Sequence, residues 1–434
     1  MIPAIATKSR HIVVSITEAR TIRDLFNNGF LDRLLSQGYR ITICTEAVTY
    51  PPIVAEWEKR GIQVLKMVPM VATSMIQRRT RQVRRKLAKW QFTWLLERFN
   101  DWERRKVVPP NPYYLEWLRE NKPDLVVATN PRLYHEASLI SSAIELKIPT
   151  IGVVMSWDNV HKGINTRPER IVVWNDINKQ ELQDLEGYRP EQVKVIGAPP
   201  FDPYFNPENI WNREKFADHF RLDPNRPIIM FATLGQFFVT LDETVWMDLL
   251  IKAVDKGELV GNPQIICRLH PLSRYEFFQK YTTHKDVRLS HINKYIPVLG
   301  WYMDRADVIE MANMLYHSAV VITPGSTVTL EAAIFDKPTI IPVFHPYQPE
   351  RGKHYFDTYA FTRHFDRIMK NKIVEVVRDQ GKFIPLINQA LEDKTLNSAG
   401  RKQLVQDYVH FTDGESTERL ADLCIKLAET GSWD

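Results

Sequence analysis

Cysteine is scarce in this sequence and long apolar runs are missing. Three of its 434 residues are cysteine (Cys44, Cys267 and Cys424). The set is odd and widely spaced, so it forms neither a disulfide framework nor a CxxC metal pair, and a reducing, intracellular compartment is expected. No window approaches the ~20 apolar residues needed to span a bilayer. The opening MIPAIATKSRH lacks the charged start and apolar stretch of a secretory signal. After the first β-like run the turn reads SITEARTI, with no GxGxxG. The chain also has no Walker GxxxxGK[ST], no HExxH, no Asp-x-Asp and no paired Cys/His set. By motif this counts against a nicotinamide Rossmann enzyme, a P-loop NTPase and a zinc hydrolase, and no metal site or cofactor is expected.

What remains is the composition of a soluble globular enzyme, 44% hydrophobic and 25% charged, long enough for two or three domains. The net charge of +5 is unevenly spread: Arg78–Lys106 holds eleven Lys or Arg against three acids (Glu97, Asp101 and Glu103). The rest of the chain is therefore slightly acidic, and the positive charge belongs to one segment.

Short β-branched runs alternate with amphipathic stretches: His11–Ile16, Arg40–Thr45, QVLKM, Asp124–Thr129, Thr150–Met155, Arg170–Asn175 and Val193–Ala198. Several are apolar at consecutive positions, as in strands covered on both faces, which predicts βαβ units around a parallel sheet. PPFDPYFNPENIWN (199–212) then brings four prolines and little periodicity, a hinge linker. A second series follows at Pro227–Leu234, Gln264–His270, VRLSHI, Ala319–Pro324 and Pro338–Val343. The expected fold is α/β, two Rossmann-like doubly wound domains facing each other across a cleft. The first spans 1–198 with a basic helical insertion at about 71–108, and the second spans 213–399. A helical segment, 400–434, is placed to return to the first domain. Ligands in such sheets bind at the carboxyl ends of strands.

Two features there suit a phosphate. In TPGSTVTLEAAIFDKP (Thr323–Pro338) a strand runs directly into Gly325, which permits a tight turn, then Ser326 and Thr327 at an N-cap, then a helix carrying Glu331. Unpaired N–H groups at a helix start, with two hydroxyls, fit phosphate oxygens, and Glu331 one turn on could accept from a ribose diol. In RLHP, Arg268 and His270 close another strand, and His270 can donate to a phosphate or protonate a leaving oxygen. The bland alternatives are an ordinary capped helix and a packed loop histidine. FHPYQPE (Phe344–Glu350) offers His345 in the same half, which a proline-bounded loop explains equally well.

The Pro-rich hinge, RLHP and PGST…EAA…DKP, in that order, resemble the donor half of a GT-B glycosyltransferase. The similarity is greatest to the CDP-glycerol glycerophosphotransferase and bacterial polysialyltransferase-like group, and it is clear over about Pro227–Val343. The resemblance implies that His270, with Ser326 and Thr327, holds the phosphates of a nucleotide-activated donor. Thr323 stands eight residues before Glu331, so the Glu-x7-Glu of many retaining GT-B enzymes is absent and inversion is favoured.

The first half is then expected to bind the acceptor. SWDNVHKG (Ser156–Gly163) gathers Asp158, Asn159, His161 and Lys162. Asp158 or His161 could take a proton from an acceptor hydroxyl, with Asn159 and Lys162 contacting an acceptor or anion. Glu18 is a rival base, and a solvated turn is the plain alternative. The stretch Met75–Phe99, within the basic segment 75–106, combines Arg and Lys with Trp90, Phe92, Trp94, Leu95 and Leu96 on one expected helix. That suits an anionic membrane surface at the cytoplasmic face, against a helix whose aromatics pack on the core; nucleic acid is not expected.

The expected activity is an inverting, metal-independent transfer of a sugar, with a polyol phosphate second, from a nucleotide-sugar or related donor to a glycan or lipid-linked acceptor in cell-surface polysaccharide synthesis. A non-hydrolysing nucleotide-sugar 2-epimerase and a non-catalytic glycan or membrane binding protein are the alternatives.

Overall fold

The computed structural model describes residues 10–70, 74–90, 92–235, 242–355, 365, 368 and 373–433. The first nine residues, read above for a missing secretory signal, and residues 71–73 and 91 of the basic insertion lie outside them. The chain divides into two compact units: residues 1–202, 295–302 and 410–434 form the first, and 203–294 with 303–409 the second.

The first unit holds seven strands, β1 (His11–Ile16), β2 (Arg40–Thr45), β3 (Gln63–Lys66), β4 (Leu125–Ala128), β5 (Thr150–Val153), β6 (Arg170–Val173) and β7 (Val193–Val195). They pair in the order β3-β2-β1-β4-β5-β6-β7, parallel throughout. Helices α1 (Phe30–Ser36), α2 (Pro51–Lys59), α3 (Ser74–Lys89), α4 (Thr93–Lys106), α5 (Pro112–Asn121), α6 (Ala137–Glu145), α7 (Asn159–Lys162) and α8 (Asp176–Glu181) accompany them. All six residues of β1 are buried, because the central strand of a sheet covered on both faces has no solvent side.

The second unit carries β8 (Ile228–Ala232), β9 (Gln264–Leu269), β10 (Val287–His291), β13 (Val320–Ile322), β14 (Thr339–Pro342) and β15 (Glu375–Val377), in the parallel order β10-β9-β8-β13-β14-β15. Its helices include α9 (Arg213–Phe220), α10 (Thr244–Asp255), α11 (Tyr275–Phe278), α12 (Arg305–His317) and α13 (Val328–Ile334). In each sheet the winding reverses beside the first strand, between β1 and β4 and between β8 and β13. Loops leaving the carboxyl ends of those pairs part there and leave a crevice.

Several boundaries differ from expectation. The antiparallel hairpin β11 (Tyr295–Ile296) and β12 (Gly300–Trp301) belongs to the first unit, where Ile296 and Leu299 join the core of β1 and β2. The helical segment expected from 400 is split: residues 398–409 stay with the second unit, His410 takes a positive φ of 74°, and the helix Ser416–Thr430 packs in the first. That helix sets Leu420, Cys424 and Leu427 into the same core as Leu25, Phe30 and Leu34. Its first amides, Ser416 and Thr417, donate to the Asp202 carboxylate at 3.0 and 2.7 Å. The hinge is not plain coil but a pair of 3-10 turns, Pro199–Tyr204 and Pro207–Asn209.

The basic insertion is two helices rather than one, broken between Lys89 and Thr93. Leu96, expected among the outward apolar residues, is instead buried at 5% exposure. Inward lie Arg84, 1% exposed, and Glu103, 3% exposed, whereas Met75, Trp90, Trp94 and Trp102 are all roughly half or more in solvent. Arg84 donates both to Glu103 (2.7 and 2.8 Å) and to the fully buried Glu186 (2.6 Å). Part of the cationic charge is thus structural and faces the protein.

Candidate active site

The crevice of the second unit is built on β8, β9 and β13. Past β8, the Leu234 and Gly235 amides donate to Glu243 at 2.6 and 3.1 Å, and burial pushes that carboxyl up to about 7. Thr233 Oγ1 accepts the His270 amide at 2.7 Å and lies 2.8 Å from Ser273 Oγ, tying the β8 and β9 loops together. The Leu272 amide donates to His270 Nδ1 at 3.1 Å. That nitrogen is therefore an acceptor, and a neutral ring carries its proton on Nε2. Burial lowers the His270 pKa from 6.5 to about 4, so near neutral pH the side chain offers an N–H without a charge.

This sets a testable sign. A folded pKa below the unfolded value means that the stability contribution of the neutral ring is complete above 6.5 and is lost as pH falls through about 4. Imidazole resonances followed by NMR in the ligand-free protein should show His270 titrating near pH 4. A midpoint near 6.5 would contradict the neutral donor.

Beside β13, Gly325 adopts φ +99° and turns the chain into α13. The capping differs from expectation: Ser326 Oγ accepts the Val328 amide at 3.2 Å, while Thr327 is already helical and its side chain caps nothing. Ser326 Oγ also lies 3.2 Å from Thr323 Oγ1. Among the described residues no protein acceptor takes the Ser326 and Thr327 amides, which leaves two donors at the start of a short helix. Glu331 Oε2 accepts the Tyr204 hydroxyl at 2.6 Å, a partner the sequence did not point to.

Arg268 is buried, donating through Nη1 to Ser290 Oγ with Glu310 at 3.4 Å. Its Nη2 is buried without an acceptor among the described residues. Burial lowers its pKa, and the charges of Glu310, Asp307 and Glu331 oppose that. His345 is buried past β14, its Nδ1 accepting the Tyr347 and Gln348 amides, as a loop-shaping histidine would.

In the first unit the chain leaving β5 reaches Asp158. Its Oδ1 accepts from Ser156 Oγ at 2.8 Å and its Oδ2 from Lys162 Nζ, so Lys162 pairs with the carboxylate one turn earlier on α7. His161 Nε2 lies 3.0 Å from Glu181 Oε1 on α8. Asn159 is buried, and its amide donates to Ser156 O. Asp158, His161 and Lys162 therefore share one turn, while Glu18 follows the end of β1. Burial opposes ionisation of Glu18, but Arg20 (2.7 Å) and Arg132 (3.4 Å) hold its pKa below the usual carboxylate value. Beneath it, Glu136 accepts Ser15 Oγ and the Asn130 amide, and burial raises it to about 7. It is the first unit's counterpart of Glu243: each is a buried carboxyl at a helix start, gripping a loop at the switch point. Neither carried a sequence signal, since both grips depend on chain segments brought together by the sheet.

A family model described as CDP-Glycerol:Poly(glycerophosphate) glycerophosphotransferase matches residues 161–426. No curated protein matches the chain. Among solved structures, similarity of fold extends over nearly the whole chain. A UDP-GlcNAc 2-epimerase from Neisseria meningitidis, solved with UDP-GlcNAc, has a TM-score of 0.55 at 12% identity, covering 96% of this chain and 100% of its own. The wall teichoic acid polymerase TagF has 0.53 at 11%, covering 98% and 90%. A glycosyltransferase from Rickettsia africae has 0.52 at 11%, covering 97% and 100%. The two parallel-sheet α/β units are those of the GT-B fold.

Proposed function

The chain belongs to the CDP-glycerol:poly(glycerophosphate) glycerophosphotransferase family and is a transferase, and on that premise we propose that it moves a sugar or a polyol phosphate from a nucleotide-activated donor to a hydroxyl of a glycan or lipid-linked acceptor. The observation that carries the reading is the Leu272 amide on His270 Nδ1, which puts the ring proton on Nε2 past β9, at the same carboxyl edge of the sheet from which β13 runs into Ser326 and Thr327. Preorganised N–H donors stabilise the charge that grows on a departing nucleotide phosphate and need no reorganisation as it forms. Arg268 contributes positive potential from within, and Glu331, steadied by Tyr204, accepts from the donor's ribose. The proposed reaction draws its phosphate stabilisation from these groups rather than from a metal.

In the same reading Asp158 is the general base. Ser156 and Lys162 hold its carboxylate in place while it takes the proton of the attacking hydroxyl, and a single displacement at an anomeric carbon inverts that centre. His161, engaged with Glu181, and Asn159 shape the turn, and Glu18 serves the Arg20–Arg132 cluster.

Thermal unfolding across UDP-, GDP-, CMP-, CDP- and dTDP-linked compounds tests the donor site. A ligand at about 100 times its dissociation constant adds about 2.7 kcal/mol. One nucleotide class should stabilise the native protein and His270→Gln should lose most of that shift; no stabilisation by any class would defeat the reading. The released nucleotide then narrows the transfer: a nucleoside diphosphate marks a sugar, whereas a monophosphate marks a polyol phosphate from a CDP-linked donor or a sugar from a CMP-linked one. An epimerase would alter the donor with no acceptor present.

The acceptor side of the reading includes a lipid surface. Among the described residues no helix is long and apolar enough to cross a membrane. The outer faces of α3 and α4 set Met75, Ile76, Val83, Trp90, Phe92, Trp94 and Trp102 among Arg79, Lys86, Lys89, Arg98 and Lys106. Apolar groups enter the interface and the cations meet anionic headgroups, each worth about 1 kcal/mol near the surface. The protein should sediment with phosphatidylglycerol vesicles and be released by salt. Replacing Trp90 and Trp94 by Ser should weaken that binding by about tenfold or more; undiminished binding would place the contact elsewhere.

A further inference from the structure

The face of α3 opposite its apolar side grips the turn that carries Asp158. Arg85 Nη2 donates to the His161 carbonyl at 3.0 Å, Arg81 Nη1 to the Lys162 carbonyl at 2.8 Å and Arg84 Nη1 to the Ile164 carbonyl at 2.9 Å. Arg81 Nη2 also reaches Asn165 Oδ1 at 2.8 Å. The spacing i, i+3, i+4 puts all three guanidiniums on one helical face. They take carbonyls at and just past the C-terminal end of α7, a one-turn helix with little cohesion of its own. The turn is cut to receive them. Gly163 has φ +98°, and a Cβ there would stand 2.5 Å from Arg81 Nε, so only glycine admits both the backbone and the guanidinium.

We infer that Arg81 and Arg85 are positioning residues through which α3 acts as a lever, so that lipid contact on its apolar face orders the Asp158–Lys162 turn on its basic face. The inference rests on the lipid-facing reading of α3 and α4. One rigid helix presents both faces: Val83 and Lys86 look outward, while Arg81, Arg84 and Arg85 hold the turn. Burying the outer face restrains α3, and three donors carry that restraint to the backbone on which Asp158 and Lys162 pair. The separate contact of His161 with Glu181 anchors the turn from α8, so the lever adjusts an element already seated.

The test follows deuterium uptake at the amides of residues 156–165 in the full chain, with vesicles of phosphatidylglycerol and phosphatidylcholine or of phosphatidylcholine alone. On the anionic vesicles exchange at 159–163 should slow by about tenfold. R81A/R85A, which keeps the bonds of Arg84 to Glu103 and Glu186, should bind the vesicles and lose the slowing. R81K/R85K, which keeps a donor at each place, should regain part of it. Gly163→Ala attacks the same contact from the turn and should also lose it, which keeps the test open if the arginine pair misfolds. Failure of the native protein to sediment removes the lipid reading and the lever together. Sedimentation without slower exchange removes the lever alone, and slowing that persists in R81A/R85A and in Gly163→Ala overturns the assignment to these guanidiniums.

Discussion

Replacing Asp158 by asparagine should lower transfer by about two to four orders of magnitude, the usual worth of a general base, while nucleotide-donor binding stays within about twofold. Asparagine keeps the size of the side chain and can still accept from Ser156 Oγ, but it cannot take a proton and no longer balances Lys162. The defect should therefore fall on kcat rather than on the donor KM, because the groups proposed to hold the donor, His270, Arg268 and the α13 start, belong to the other unit. Folding should change little: the Asp158–Lys162 pair has its lysine half in solvent, and such pairs contribute about 0–1 kcal/mol. His161→Gln, which preserves a donor toward Glu181, should cost far less than D158N. Steady-state kinetics with the nucleotide class found by thermal shift decide the matter. Full turnover by D158N with loss of turnover in Glu18→Gln would move the base to the loop after β1 and reverse the assignment.

The elements most legible in the sequence are those whose physics is local. HIVVSI and RITICT are strands over the expected residues, because two-sided burial writes itself as consecutive apolar positions. The strand-to-helix turn at Gly325 is also readable, since a positive φ between a strand and a helix calls for glycine. What failed to show depends on partners far along the chain. Arg84 and Glu186 are 102 positions apart, so nothing near Arg84 marks it as an interior residue. The His270 tautomer is set by a backbone amide, which no residue type announces. The break between α3 and α4 was hidden for another reason: basic and aromatic residues continue across it without a proline or glycine to mark the stop. The hairpin at 295–302 joins the first unit through Ile296 and Leu299, apolar residues indistinguishable in sequence from core residues of the second.

Arg84→Met should cost the first unit about 3–5 kcal/mol, the range for breaking a buried ion pair by removing one partner. Burial opposes the Arg84 charge, yet Glu186 and Glu103 together hold its pKa above the ordinary guanidinium value. Methionine fills comparable volume, so the loss is not a cavity effect; it comes from leaving Glu103 buried with no counter-charge on α3 and Glu186 with the Ile164 amide (3.4 Å) and the longer contacts to Arg167 (3.7 Å) and Arg85 (3.8 Å). The Ile164 carbonyl loses its donor as well. Urea unfolding should show the lower midpoint, and trypsin should cut α3 and α4 earlier than in the native chain. R84M/E103M separates the causes. If the penalty is an unpaired buried carboxylate, removing Glu103 together with Arg84 should restore a substantial share of the stability, because a buried ion pair exchanged for packed apolar groups is often neutral. If the double variant is as unstable as the single one, the bonds of Arg84 to Glu186 and the Ile164 carbonyl carry the effect, and α3 is fastened chiefly to the turn beyond α7 rather than to α4.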